Sequence, residues 1–228
     1  MDLNNIIILA ARQLAASMLA IIIAGCGGHT MSEDDLSAPV RYIVMGEKYE
    51  VPLGYHYHDY LKRKGRWPDP KDHFTNAGGI SIIALIPGMR PYSMENKSEF
   101  EQLGFGNKIN IQITPPTSLY PVKEWLRRME GEGRLEQLPS DLAGLTRYWD
   151  NYAGTDTGQG ADIYIKEEGV PYFKLHCPRR PGPSPACEIT KEGANGLHIH
   201  YSFSKDHLAS WKSIDKGIDR LIEQFAVQ

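Results

Sequence analysis

Strict alternation is clearest at Lys108-Ile109-Asn110-Ile111-Gln112-Ile113-Thr114. A period of two turns the isoleucines toward a core and the polar residues outward, as in a half-buried strand. Leu197-His198-Ile199-His200-Tyr201-Ser202-Phe203 repeats the pattern. Ile80 to Ile86 is a continuous apolar run between Gly78-Gly79 and Pro87-Gly88, and reads as another strand. Arg41 to Met45 and Lys48 to Val51 predict a hairpin across Gly46-Glu47. Asp162 to Lys166 and Tyr172 to Cys177 predict a second across Glu167-Glu168-Gly169.

The period changes in two places. Pro121 suits the first helical position ahead of Val122, Trp125, Leu126 and Met129, with an end near Gly131. From Lys205 to Phe225, with Ser204 placed to cap, Leu208, Trp211, Ile214, Ile218, Leu221, Ile222 and Phe225 form one apolar stripe. Gly217 interrupts that long amphipathic helix. It costs roughly 1 kcal/mol relative to alanine, which close packing on the sheet would offset. The fold class is α+β: antiparallel β-sheet backed by helices. Strand, Pro/Gly/Arg loop, strand and helix occur twice in that order, consistent with two similar lobes over residues 40–131 and 140–228. Chance recurrence of common elements explains the order equally well.

Charge and composition narrow the partners. The chain has 228 residues, 41% hydrophobic and 23% charged, with a net charge of −3. These are globular values, and the mild acidity gives no basic field for nucleic acid.

The first residues carry a separate message. Arg12 precedes the apolar run Leu14 to Ile23, which is too short to span a bilayer as a helix. The run ends in Ile23-Ala24-Gly25-Cys26, which resembles the bacterial lipobox. Residues 1–25 are therefore expected to be a lipoprotein signal peptide, and Cys26 the lipidated residue. Asp2, and the apolar patch Ile6 to Ala11 before Arg12, depart from the usual signal. A plain secretory signal or an uncleaved anchor is the alternative. Acyl chains contribute roughly 0.8 kcal/mol per buried methylene, so such a cysteine would hold the protein on a membrane. Residues 26–39 then read as a polar tether, and 40–228 as the globular body. Gly27, rather than aspartate, follows the cysteine and favours the outer membrane, facing the periplasm.

Export bears on the other cysteines. Cys177 and Cys187 bracket a loop rich in proline and glycine, and an oxidising compartment favours a disulfide between them. Two free buried thiols are the alternative.

Candidate chemistry is sparse. His56 and His58, and His198 and His200, sit two apart, a spacing that can begin a metal site. No carboxylate stands at a spacing that completes either pair. Asp156-Thr157-Gly158 has the aspartic protease triplet but lies in a polar glycine-rich stretch. No nucleophile elbow, zinc-protease helix or phosphate loop occurs. The expectation is a binding protein, not an enzyme, with no cofactor and no metal. Tyr55, Tyr57, Tyr60, Arg66 and Trp67 form an aromatic and basic segment of the kind enriched at protein interfaces. Arg179 and Arg180, on the proline loop, form a second candidate patch. A solvated loop with buried tyrosine rings is the plainer reading of the first.

Leu85-Ile86-Pro87-Gly88-Met89-Arg90-Pro91, Glu95 to Phe100 and Gly104-Phe105-Gly106-Asn107-Lys108 carry a family resemblance. So do Cys177, Cys187-Glu188, His200 to Ser204, Leu208 and Trp211 to Asp215. Over about half the mature chain the sequence resembles the lipoprotein immunity proteins of type VI secretion systems, notably those paired with lipase or phospholipase effectors. The resemblance implies a periplasm-facing lipoprotein that binds and neutralises a secreted antibacterial effector. The alternatives are an envelope structural or assembly lipoprotein, and a metal-dependent hydrolase using His56, His58, His198 or His200.

Overall fold

The computed structural model describes residues 31–116, 122–151, 160–166, 172–179, 182, 184–193 and 196–227. Cys26, Pro121, Arg180, the Asp156-Thr157-Gly158 triplet and the Glu167–Gly169 turn lie outside the described residues. No described helix is long and apolar enough to cross a membrane.

The expected tether ends early. Glu33–Ser37 forms a short helix, α1, and its Leu36 is 4% exposed. The Glu33 carboxylate accepts from the Met94 amide at 2.8 Å, and Leu53 N–H donates to the Ala38 carbonyl at 2.9 Å. The compact unit that holds the sheet thus begins at Glu33 rather than residue 40. A single leucine among acidic residues supplies the anchor.

β1 (Pro39–Val44) and β2 (Glu47–Pro52) form the first hairpin. The turn centres on Met45-Gly46, not Gly46-Glu47: both have positive φ, 53° and 86°. That pairing suits a two-residue loop whose twist matches the strands. A short β3 (Thr75–Asn76) lies parallel beside β1. The chain turns through Leu53–His56 into α2 (Tyr57–Lys62), a helix where a loop was expected.

The remaining strands are β4 (Ile80–Leu85), β5 (Lys108–Thr114), β6 (Leu135–Leu138) and β7 (Thr146–Asp150). They continue with β8 (Ala161–Ile165), β9 (Phe173–Pro178), β10 (Ala186–Glu192) and β11 (His198–Ser204). Among the described residues they form one eight-stranded sheet, ordered β4-β5-β11-β10-β9-β8-β7-β6. Every neighbouring pair is antiparallel. This replaces the two-lobe reading. Both halves feed one sheet, and residues 33–228 form one compact unit. The supposed repeats also differ: β4 pairs directly with β5, whereas β10 separates β9 from β11.

Three helices complete the body: α3 (Lys97–Glu101), α4 (Val122–Gly131) and α5 (Trp211–Phe225). The last is shorter than expected, because Lys205–Ser210 is a tighter 3₁₀ turn, capped where the Asp206 amide donates to Ser204 Oγ. The expected apolar stripe packs as drawn. Trp211, Ile214, Ile218, Leu221 and Phe225 are buried, with Leu208 and Ile222 at the margin. They meet Ile109, Ile111 and Ile113 of β5, Ile199, Tyr201 and Phe203 of β11, and Leu175 of β9. Each such buried side chain contributes about 1.5–3 kcal/mol of transfer free energy. On the opposite face α4 covers one end through Leu126, against Tyr148, Ala161, Ile163 and Ile165. The helical turns at 53–62 cover the β4 end. That second cover explains why Ile80–Leu85 is apolar at every position but Ser81. Between the covers, the alternate polar side chains of β5, β11 and β10, such as Asn110, Gln112, His200, Ser202 and Thr190, face outward.

Candidate functional surfaces

The aromatic segment does not form one surface. Tyr55 and Tyr57 are 8% and 4% exposed. Tyr55 packs edge-on against Phe225, beneath α5. Tyr57 faces elsewhere and stacks on Tyr92 at 4.8 Å, with Phe100 edge-on at 5.1 Å. Alternation within a tight turn and helix sent these rings into two different cores, so neither is displayed to a partner. Tyr60 and Trp67 stack at 4.6 Å and remain half-exposed, and Arg66 is exposed. Of the expected residues within this segment, only these three reach the surface.

Cys177 and Cys187 are joined by a disulfide, with Cα atoms 4.4 Å apart. They stand opposite each other at the loop end of the β9–β10 hairpin, continuing the register of His176 with Glu188. Arg179 is not a free cation on that loop. Its guanidinium makes two hydrogen bonds to Asp162, at 2.8 and 2.6 Å, and lies 4.1 Å from the centre of the Trp149 ring. Arg147 binds the same carboxylate from β7, at 3.0 and 2.8 Å. Burial alone would raise the pKa of Asp162, but the two arginines overcome it and hold the carboxyl below its usual value. The cluster ties β7, β8 and the end of β9 together.

The histidines are redistributed. His56 is fully buried, with Nδ1 3.4 Å from Asp59 and Nε2 3.5 Å from the Tyr42 hydroxyl. This is a structural position at the start of α2. His58 points away and lines a small cavity of about 120 Å³ with His200, Ser81, Asn110, Gln112 and Ser202. Desolvation, then Lys62, pushes the His58 imidazole below its ordinary pKa. His200 shares a hydrogen bond with Thr190 at 3.0 Å. The fold therefore sends His56 and His58 to different surroundings and brings one member of each pair, His58 and His200, to the same cavity. Among the described residues no group of three or more His, Cys, Asp or Glu is arranged to hold a metal.

A cleft of about 480 Å³ lies between the Ile86–Met89 loop and one side of α5. Leu85 and Arg90 close the base of that loop with reciprocal backbone hydrogen bonds of 2.8 and 2.9 Å. Gly88 and Met89 both take positive φ, 91° and 53°, which turns the chain sharply. The Tyr55 hydroxyl donates to the Met89 carbonyl at 2.9 Å. Burial raises the Tyr55 pKa to about 12, so it stays a neutral donor. The other wall is a polar line on α5: Ser213, Gly217, Arg220 and Gln224, spaced so that all face one way. Gly217 packs against this loop rather than the sheet, because an added Cβ would meet Met89 Cε at 2.9 Å. At one end, His207 Nε2 donates to the Gly106 carbonyl at 3.2 Å.

Sequence reading missed this wall. The signal was the line of Ser213, Gly217, Arg220 and Gln224 running beside the apolar stripe. It also missed Lys191, which faces inward and lies 2.6 Å from both Asp215 and Asp219 of α5. Asp215 accepts from the buried Tyr201 hydroxyl at 2.7 Å as well. Asp215 and Asp219, one helical turn apart, were the visible clue to a buried cation.

The fold is shared with two solved structures. One is the iron-regulated outer membrane lipoprotein FrpD of Neisseria meningitidis, with a TM-score of 0.58 and 17% identity. The match covers 84% of this chain and 93% of that one. The other is an immunity protein of the Stenotrophomonas maltophilia type IV secretion system, also at 0.58 and 17%. It covers 84% of this chain and 94% of the neighbour. No protein-family model and no curated protein matches the sequence.

Proposed function

We propose that this protein is a lipid-anchored envelope protein that binds and neutralises a secreted antibacterial effector. The observation that carries the proposal is the fold, common to an immunity protein and an outer membrane lipoprotein over 84% of the chain. The lipobox ending at Cys26 supports attachment at the envelope, and the Cys177–Cys187 bond fits an oxidising compartment. The resemblance of Leu85–Pro91, Cys187-Glu188, His200 to Ser204 and Trp211 to Asp215 favours a lipase-like effector of a type VI system. The type IV system of the structural neighbour is the competing delivery route.

The physical mode is tight association. A rigid sheet-and-helix body presents preset surfaces, so little ordering entropy is lost on binding. Lipid attachment would concentrate the inhibitor at the surface where a lipid-directed effector works. The test is to titrate the purified protein against the product of the adjacent gene. A nanomolar or tighter complex, about 12 kcal/mol, is expected together with loss of the effector's activity. No association at micromolar concentration refutes the proposal.

FrpD favours a second reading, an envelope lipoprotein without an effector. Deletion would then disturb the envelope of cells that meet no toxin.

A further inference from the structure

Resting on the binding function above, we infer that the cleft between the Ile86–Met89 loop and α5 receives an effector segment carrying a carboxylate beside an apolar side chain. The floor of the cleft is apolar, formed by Met89, Ile86 and the ring of Tyr55. Methionine adapts its shape to different apolar groups, and here it is held in place by the Tyr55–Met89 hydrogen bond. The absent side chain at Gly217 lets the Met89 side chain pack directly against the helix.

The charge is one-sided. Arg220 is the one formally charged side chain lining the cleft, and no acidic group joins it there. Its Nε donates to the Lys216 carbonyl at 3.3 Å, and it forms no ion pair with a carboxylate among the described residues. Of the acids nearest in sequence, Asp219 is drawn to Lys191 together with Asp215, and Glu223 neither lines the cleft nor forms an ion pair among the described residues. A lone guanidinium above an apolar floor, in a chain of net charge −3, is complementary to an incoming carboxylate. Ser213 and Gln224 bracket it along the helix and offer both donors and acceptors. Hydrogen-bonding groups along the length of the wall suit a peptide backbone better than an acyl chain. The volume falls within the range of about 300–1,000 Å³ typical of ligand clefts.

Neither rival surface carries the argument as far. The His58–His200 cavity, about 120 Å³, has too little room for a peptide segment. Leu103 is 95% exposed but stands at a loop tip and lines neither of the two cavities described.

The test uses the protein purified in detergent from its own membranes, with Ser213→Cys or, as a control on the far edge strand, Glu136→Cys. Maleimide labelling at each position is read by peptide mapping. The purified product of the adjacent gene should slow labelling at 213 at least tenfold and leave 136 unchanged. Arg220→Glu should weaken that complex at least tenfold at an unchanged melting temperature, whereas Lys212→Glu should not. A tight complex with unaltered labelling at 213 and unaltered affinity for Arg220→Glu overturns the cleft assignment and leaves the binding function standing. No complex with wild type overturns both. Protection at 213 by phosphatidylglycerol vesicles, but not by the adjacent gene's product, overturns it in favour of lipid.

Discussion

Replacing Cys177 and Cys187 together by alanine opens a loop with a sequence separation of 10. For a loop of that length, the chain-entropy model gives a loss of about 3 kcal/mol at 25 °C. Both cysteines are wholly buried at the end of the β9–β10 hairpin, within the core under α5. Removing the two sulfurs leaves small voids there, worth roughly 1 kcal/mol more in lost transfer free energy. The sum, about 4 kcal/mol, lowers the melting temperature of a body this size by roughly 10 °C. Calorimetry on the wild type and the double variant measures the shift. Alkylation mapping before and after reductant reports the bond itself. The wild type should take up no label at either position until it is reduced. A double variant melting within about 2 °C of the wild type would show that the bond contributes nothing. Free thiols in protein isolated from its own cells would contradict the proposed oxidising compartment.

Three further outcomes follow from the buried charges. Lys191→Met strands Asp215 and Asp219, whose carboxylates still reach water, and should cost about 2 kcal/mol by denaturant titration; an unchanged midpoint refutes the role of the network. Asp162→Asn leaves two arginines facing each other without their counter-charge and should cost about 2–3 kcal/mol on the same assay. The pH dependence has a definite sign. His58 and His176 both have folded pKa values depressed by desolvation, so the unfolded chain takes up protons first as pH falls through about 6.5. Their share of stability is present above that pH and lost below it. Asp59, held low by its hydrogen bond from His56, and Asp162 add a second loss only as pH falls below the ordinary carboxylate value of about 3.8. A melting temperature flat between pH 7 and 5 would contradict the histidine part.

Strands that alternate cleanly were legible, and so was the helix that covers them. The Ile109-Ile111-Ile113 and Ile199-Tyr201-Phe203 faces are where a period of two places them. β10 was hidden for a physical reason. Its inward positions are Cys187, Ile189 and Lys191, and the lysine breaks the apolar pattern while its charge is met by α5. β6 was hidden because an edge strand is only half-buried at Leu135 and Leu138 and needs no strong alternation. The candidate surface was legible only in part. Tyrosines rank high as partner anchors, but Tyr55 and Tyr57 were claimed by two cores once the chain turned into α2. Arg179 was claimed by Asp162, a long-range pairing that no local spacing announces. The cleft joins residues 86–89 to residues 207–224, so it exists only after the sheet closes.

The central claim is settled most directly by competition between sister cells. A strain lacking this gene is grown against an attacker that delivers the adjacent gene's product. The strain is then complemented with wild type or with Cys26→Ser. Survival should collapse in the deletion strain, recover fully with wild type, and recover poorly with the variant that cannot be lipidated. Equal survival of the deletion strain beside armed and disarmed attackers would contradict the account.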